Sequence, residues 1–401
     1  MISQKQLQTI QQANKFINIA HGAVRSGKSV ALNYLWIAYC KHGPPGELAM
    51  VGKTERTLKR NIIKPLSSML GSDLKYNQGT GELYIGKRVC YVYGANDERS
   101  ADKIQGATLA GALCDEISLY PQSFWEMLIT RLSVPGAQLF GTTNPDSPYH
   151  YLKIDWLDNP AIDLFQIKYN IDDNPFLDGD YVHRLKTSFK GIFYKRYILG
   201  EWVLAEGVIY DMFSDENVVD NGAGQYTIIG VDYGISNPTV FLKLKFNDAS
   251  KITVTDEYYY KSDKQKTDTE LADAFDKFTA GEQIMAVYCD PSALSFITEL
   301  KKRRYRIKDA DNDVLSGIST VSTMFGNRNL FVAEKCENLR RELSVYSWDS
   351  KAQLKGEDKP LKEHDHAPDA LRYAVYSHFK NYSAFPVVLS TSKRKNKYSD
   401  F

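Results

Sequence analysis

Eight residues, Gly22-Ala23-Val24-Arg25-Ser26-Gly27-Lys28-Ser29, constrain this chain more than any other stretch. They satisfy the pattern G-x-x-x-x-G-K-[ST] at every fixed position. The two glycines let the backbone turn tightly, so successive N–H groups converge on a phosphate with no Cβ in the way. Lys28 then reaches the β- and γ-phosphates of a nucleoside triphosphate, and the Ser29 hydroxyl is placed to hold Mg2+. The surroundings agree. Residues 16–20 read as a short strand entering the loop, and residues 29–40 as a helix leaving it with its positive end toward the phosphates. Arg25 sets a rigid, permanently charged fork inside the same loop, close to where charge spreads in phosphoryl transfer.

The rest of a nucleotide site is expected downstream. Strands are predicted at 47–51, 83–85 and 89–93, with one helix over 54–70 whose apolar face carries Leu58, Ile62, Ile63 and Leu66. The apolar run Leu109–Cys114 ends in Asp115-Glu116. At a strand end, Asp115 can anchor the Mg2+ shell and Glu116 can polarise an attacking water. The small residues Ala110, Gly111 and Ala112 weaken the strand pattern there. A further strand at 137–140 runs into Gly141-Thr142-Thr143-Asn144-Pro145, and polar residues at that edge of an open α/β sheet lie where ligands bind. Arg99, Lys103 and Arg131 are nearby cations that could meet phosphate. Residues 151–205 alternate aromatic and charged side chains, with helical periodicity over 181–199, and read as a cap on this half.

Composition bounds the alternatives. A chain of 401 residues is too long for one ordinary core and implies two domains of roughly 200 residues each. Its 43% hydrophobic and 25% charged content matches a soluble globular protein, and no apolar run approaches a membrane span. The N-terminal MISQKQLQTIQQ lacks a signal-peptide layout. Five cysteines (40, 90, 114, 289 and 336) are scattered, which argues against zinc and disulfides and for a reducing compartment. A formal charge of +1 implies that any DNA contact is local or transient.

Residues 206–225, with three glycines, read as a hinge. Beyond them, 226–231 forms a buried strand ending in Asp232, followed by strands at 239–246 and 251–260 in a meander. Residues 284–289 are apolar and end in Asp290, and His364-Asp365-His366-Ala367-Pro368-Asp369 opens a helix with proline in its first turn. Asp232, Asp290 and Asp369 are what a two-metal phosphodiester site requires: hard oxygen ligands for Mg2+ or Mn2+, with two ions roughly 4 Å apart. Glu257 is a candidate fourth ligand. His366 faces the same side of the helix as Asp369, ready to ligate or orient, while Asp365 reads as a helix N-terminal carboxylate. The basic run Lys301–Arg304 with Arg306 reads as a solvated face that could hold a DNA backbone, and residues 392–397 as a basic tail.

An ATPase half followed by an acid-cluster half resembles the large terminase subunits, the DNA-packaging motors of tailed double-stranded DNA bacteriophages. GAVRSGKS, ALCDE, GTTNP, GVDYG, VYCDP and HAPDALRY carry the resemblance, which spans nearly the whole chain. It implies an α/β protein with an N-terminal P-loop NTPase domain (additional-strand, RecA-like sheet; 1–205) and a C-terminal ribonuclease H-like nuclease domain (226–385), then a tail at 386–401. By motif, Lys28 and Ser29 bind phosphate and Mg2+, Asp115 holds the metal and Glu116 is the catalytic base. Thr142, Thr143 and Asn144 match the coupling motif, Asp232, Asp290 and Asp369 match the nuclease triad, and one of Gln4, Gln6 and Gln8 reads adenine. The implied partners are double-stranded DNA, a small terminase subunit and the portal protein of the procapsid. The chain would be a monomer in solution and a homo-oligomeric ring on the portal, without membrane contact. It would act in the host cytoplasm and be absent from the mature virion. The rival readings are a helicase- or recombination-type ATPase with a degenerate nuclease half, and a nucleotide-switched assembly scaffold.

Overall fold

The computed structural model describes residues 2–234, 238–248, 250–262 and 264–380, so the basic tail lies outside the described residues. The chain divides into two compact units. One comprises Met1–Val182, Tyr194–Leu204 and Leu354–Glu357; the other His183–Phe193, Ala205–Gln353 and Asp358–Phe401. Residues 206–225, expected as a hinge, fold into the second unit, where Val218–Val219 pairs in parallel with Val332 and Ala333.

The first unit is built on eight strands: β1 (Ile17–Gly22), β2 (Glu47–Gly52), β3 (Leu74–Asn77), β4 (Glu82–Ile85), β5 (Arg88–Gly94), β6 (Leu109–Cys114), β7 (Gln138–Thr143) and β8 (Leu164–Tyr169). Their order is β3-β4-β5-β2-β6-β7-β1-β8, parallel from β5 to β8, with an antiparallel meander at the β3 edge. β7 therefore stands between the P-loop strand β1 and the Asp115 strand β6, which is the additional-strand arrangement. Apolar layers cover both faces: Ala20 of β1 joins Leu32 and Trp36 on one side, while Ile17 and Ile19 join Phe124, Trp125 and Leu128 on the other. Burial on both faces explains why β1 and β6 are buried at every position.

The small residues of β6 have a packing reason. The Tyr39 ring, on the helix Lys28–His42, lies against Gly111 where a methyl group would overlap it. Its hydroxyl donates to the Ala110 carbonyl at 2.6 Å and accepts from the Gln138 N–H at 2.9 Å. One phenol thus ties the helix behind the P-loop to β6 and β7.

Three elements differ from expectation. β8 was hidden in the presumed cap, although exposed Gln166 and Lys168 alternating with buried Ile167 and Tyr169 is the pattern of a strand with one wet face. The helix expected over 54–70 is interrupted by a wide turn, Lys59–Ile63, closed by the Lys64 N–H on the Lys59 carbonyl. Pro65 follows directly and has no N–H for the ordinary bond four residues back. The helix expected over 181–199 is two, Gly179–Ser188 and Gly191–Tyr197, parted where Gly191 takes φ 51°.

The second unit carries β9 (Val218–Val219), β10 (Tyr226–Asp232), β11 (Thr239–Phe246), β12 (Ile252–Tyr260), β13 (Ile284–Cys289), β14 (Ile307–Asp309) and β15 (Leu330–Ala333), in the order β14-β13-β10-β11-β12-β15-β9. β11 runs antiparallel to β10 and β12, while β13 and β14 continue the sheet parallel to β10. This is the ribonuclease H-like arrangement. The helix His366–Phe379 crosses β10 so closely that the Ala370 carbonyl fills the place of a Cβ on Gly230.

Adding that one methyl group at Gly111 tests the Tyr39 seat. Gly111→Ala should lower unfolding stability by about 1–3 kcal/mol, measured by denaturant titration, because the core there has no room. An unchanged midpoint would show that Tyr39 yields without cost.

Candidate functional site

The P-loop hangs from its neighbours by backbone bonds. The Ala23 N–H donates to the Tyr169 carbonyl and the Val24 N–H to the Tyr197 carbonyl, both at 2.8 Å. Arg25 (φ 57°) and Gly27 (φ 92°) are left-handed, turning the loop's N–H groups inward. Lys28 is buried, and its ammonium donates to the carbonyls of Gly22 (2.9 Å) and Ala23 (2.5 Å) and to Asn144 Oδ1 (3.2 Å). Burial pushes this ammonium down to about 7, against the pull of Asp115 and Glu116. The Arg25 side chain is exposed at the loop's rim.

Opposite Lys28 stand the two acids. Cys114 pairs with Gly141 across β6 and β7, so Asp115 and Thr142 lie side by side. Asp115 Oδ1 accepts from the Thr142 hydroxyl at 2.8 Å, and Oδ2 accepts from Asn61 Nδ2 at 3.3 Å. Burial raises the Asp115 carboxyl above its ordinary range. Glu116 takes φ 59° immediately beyond the strand, which turns it off the sheet's path. Burial first, and the Asp115 charge second, push its carboxyl up to about 7. The Thr-Thr-Asn stretch touches each of these groups. Thr142 Oγ1 accepts from the Glu116 N–H (3.2 Å), Thr143 Oγ1 from the Ser118 N–H (3.1 Å), and Asn144 holds Lys28. A buried ammonium, the buried carboxylate of Asp115, the half-buried one of Glu116 and a loop of inward N–H groups fit the polyphosphate and Mg2+ of a nucleotide in kind, and Ser29 and Asp115 could supply oxygen donors to the ion.

Asn61 is a site residue that sequence reading missed. It sits on the wide turn before Pro65, and Arg60 Nε donates to its Oδ1 at 3.1 Å. The proline after a helical stretch was the available signal. Of the N-terminal glutamines, Gln4 and Gln8 are exposed; Gln6 is buried and donates to the Gly27 carbonyl at 3.0 Å. Arg99 and Lys103 are exposed, and Arg131 directs its Nε to Thr130.

In the second unit, Val231 pairs with Cys289 in parallel, so Asp232 and Asp290 leave adjacent strands about 4.8 Å apart. The helix His366–Phe379 reaches both. His366 Nδ1 lies 3.0 Å from Asp232 Oδ2, and the Tyr373 hydroxyl donates to Asp290 Oδ2 at 3.2 Å. Asp369 lies between them on that helix, accepting from Arg372 (3.0 Å) and Lys362 (3.3 Å). Burial pushes the Asp232 carboxyl up to about 6. Burial would also raise Asp290, but hydrogen bonds from Ser292, Asn312 and Tyr373 hold it below its ordinary value.

One expectation changes here. Glu257, the candidate fourth ligand, is turned to the helix Glu337–Val345, where it accepts from the N–H groups of Asn338 (2.8 Å) and Leu339 (2.9 Å) and from Asn338 Nδ2 (2.9 Å). Asp365 stands at the N-cap position of its helix, where a helix N-terminal carboxylate was expected, although its side chain makes no capping bond. Glu342 takes that task, accepting from the Ala367 N–H at 2.7 Å. The hard oxygen donors suit Mg2+ or Mn2+ in kind, but among the described residues no three His, Cys, Asp or Glu side chains are arranged to hold an ion. Each acid instead has a protein partner.

Comparison with known proteins bears on both sites. The family model for the N-terminal part of the T4likevirus-type terminase large subunit matches residues 19–215. The large terminase of a thermophilic bacteriophage is 36% identical, with a TM-score of 0.86 over 94% of this chain and 99% of that one. The chain belongs to the large terminase subunits. The same thermophilic-phage protein in complex with ADP superposes with a TM-score of 0.85, again at 36% identity over 94% of this chain and 100% of that one. A large terminase subunit of Escherichia phage T5 is 25% identical over 223 residues, which are 51% of this chain; the chain matches half (50%) of that relative's length. Among the described residues, no helix is long and apolar enough to cross a membrane.

His21, on β1, is buried with Nδ1 unpartnered, near Trp202. Burial, then the charges of Lys153, Lys28 and Lys168, lower its pKa from 6.5 to about 4. A histidine depressed in the fold contributes stability above its unfolded value and loses it as pH falls. Stability should therefore drop by about 3 kcal/mol between pH 6.5 and 4 through this residue alone. His21→Gln should flatten that part of the pH–stability curve, measured by urea unfolding; a curve parallel to that of the unsubstituted chain would refute the assignment.

Proposed function

We propose that the chain is an ATP-driven motor that moves double-stranded DNA into a procapsid, and an endonuclease that cuts concatemeric DNA at the start and end of packaging. The carrying observation is the buried Lys28 ammonium, held by loop carbonyls, Ser26 and Asn144 and facing the carboxylates of Asp115, which is buried, and Glu116, which is half-buried. Support also comes from the large terminase of the thermophilic phage, whose structures include complexes with ADP and with ATP-γ-S.

In this reading Gly22, Ala23, Val24, Ser26 and Gly27 shape the phosphate cradle, and Lys28 transfers its donors from loop carbonyls to phosphate oxygens. Ser29 and Asp115 would hold Mg2+, which would neutralise phosphate charge. Glu116, with a carboxyl near 7, is suited to take the proton of the attacking water at cellular pH. Arg25 stabilises charge on the γ-phosphoryl group as it spreads. Thr142, Thr143 and Asn144 pass the change on: once Lys28 moves to phosphate, Asn144 is released, and Thr142 joins the Asp115 carboxylate to the Glu116 backbone.

For the second unit, Asp232, Asp290 and Asp369 are the carboxylates of the nuclease, with His366 orienting Asp232. Mg2+ or Mn2+, as two ions, is the cofactor proposed for it. The partners are double-stranded DNA, a small terminase subunit and the portal, on which a ring of this chain assembles in the host cytoplasm.

Two sets of variants test the two halves. Arg25→Ala should keep ATP binding and lose at least about tenfold in hydrolysis, and Glu116→Gln should lose more. Full turnover in Glu116→Gln would remove the base assignment. Asp290→Ala should abolish plasmid cleavage in Mn2+ while leaving ATP hydrolysis intact. Cleavage by Asp290→Ala equal to that of the unsubstituted chain would refute the nuclease reading.

A further inference from the structure

Past Gly22, the P-loop has two left-handed residues, Arg25 (φ 57°) and Gly27 (φ 92°). The carbonyl of each is held from outside the loop by a side-chain amide. Asn174 Nδ2 donates to the Arg25 carbonyl at 2.8 Å, and Gln6 Nε2 to the Gly27 carbonyl at 3.0 Å. The other end of each amide is engaged as well, which fixes its orientation. Gln6 Oε1 accepts from the Ser3 N–H at 2.8 Å, within the cap of the helix Gln4–Gln12, and Asn174 Oδ1 accepts from the Phe176 N–H at 3.4 Å. Both residues arrive through the fold. β8 runs parallel to β1 with Tyr169 opposite Gly22, and the tight turn Ile171–Asp173 then carries the chain from that strand end to Asn174 beside the loop. Gln6 is buried and lies on Gly27 so closely that a Cβ there would stand 2.6 Å from its Nε2.

In a trans peptide the C=O of one residue and the N–H of the next point in opposite directions. Drawing the Arg25 carbonyl to Asn174 therefore turns the Ser26 N–H away from Asn174, and drawing the Gly27 carbonyl to Gln6 does the same for the Lys28 N–H. Those two N–H groups belong to the phosphate cradle. Arginine at a positive φ is strained where glycine is not, and it keeps that conformation only where its surroundings fix it. We propose that Asn174 and Gln6 are positioning residues that clamp the phosphate cradle from outside and set the direction of the Ser26 and Lys28 N–H groups. This rests on the reading of the first unit as a nucleotide site. It gives Gln6 a task at the loop in place of reading adenine, because both ends of its amide are already engaged.

The test is calorimetric titration of the full chain with ADP and with inorganic tripolyphosphate, which carries phosphates and no base. Lys28→Ala provides the baseline. Asn174→Ala and Gln6→Ala should each weaken both ligands by the same factor, about tenfold, the size of one lost hydrogen bond to a charged group. The thermal unfolding midpoint of the ligand-free chain, read by circular dichroism, should stay close to that of the unsubstituted chain, which a purely structural role would not allow. Unchanged tripolyphosphate affinity in both variants overturns the clamp. Weaker ADP with unchanged tripolyphosphate in Gln6→Ala returns that glutamine to the base and overturns its place in the clamp. ADP bound by the unsubstituted chain no better than by Lys28→Ala overturns the nucleotide-site reading itself. Asn174→Ser and Gln6→Met take the place of any alanine variant that does not fold.

Discussion

Both candidate sites depend on one costly arrangement, the burial of charge at the carboxyl ends of parallel strands. An unpaired buried ammonium or carboxylate costs several kcal/mol or shifts its pKa until it is neutral. In the first unit the two effects meet. Burial pushes Lys28 down to about 7 and Glu116 up to about 7, even though each group's charge favours the other's. What keeps the ammonium in place is a set of carbonyl dipoles and one amide, partners that a phosphate would outbid as a doubly charged acceptor. The strand order makes this possible. With β7 between β1 and β6, the loop, the threonines and the acids emerge side by side along one edge.

That edge is also rigid where it needs to be. Asp115 has both oxygens engaged, one by Thr142 and one by Asn61, so its orientation is set before any ion arrives. Thr142 meanwhile accepts from the Glu116 backbone, which fixes the left-handed residue carrying the proposed base. Preorganisation of this sort spares the reaction the cost of ordering its own groups. Tyr39 extends the same rigidity backward, binding the P-loop helix to β6 and β7 through one hydroxyl.

The parts of this plan that were legible in the sequence are those in which chemistry forces local spacing. A phosphate cradle needs its glycines and lysine at fixed intervals, and an acid at a strand end follows an apolar run; hence Lys28, Asp115, Asp232 and Asp290 could be read directly. The central strands were equally plain, because burial on both faces demands continuous apolar runs. What escaped was set by contacts distant in sequence. Asn61 meets Asp115 across 54 positions, from a turn whose widening depends on the proline behind it. Glu257 caps a helix that begins far along the chain, and so an acid read as a candidate metal ligand turned out to satisfy backbone N–H groups. β8 escaped because one wet face gives a strand only half the apolar signal.

The two lysines at the two sites follow from the same electrostatics and differ in how firmly they are held. Lys28 springs from the first turn of a helix inside the core, its whole stem is enclosed, and the P-loop carbonyls leave it nowhere to go but toward a phosphate. Lys362 is on a surface segment ahead of its helix, with a stem in water and only its head between carboxylates. A charge enclosed on every side can only exchange partners, which suits the phosphate site proposed for it. A charge with an open route to solvent can leave its carboxylates without disturbing the packing around it.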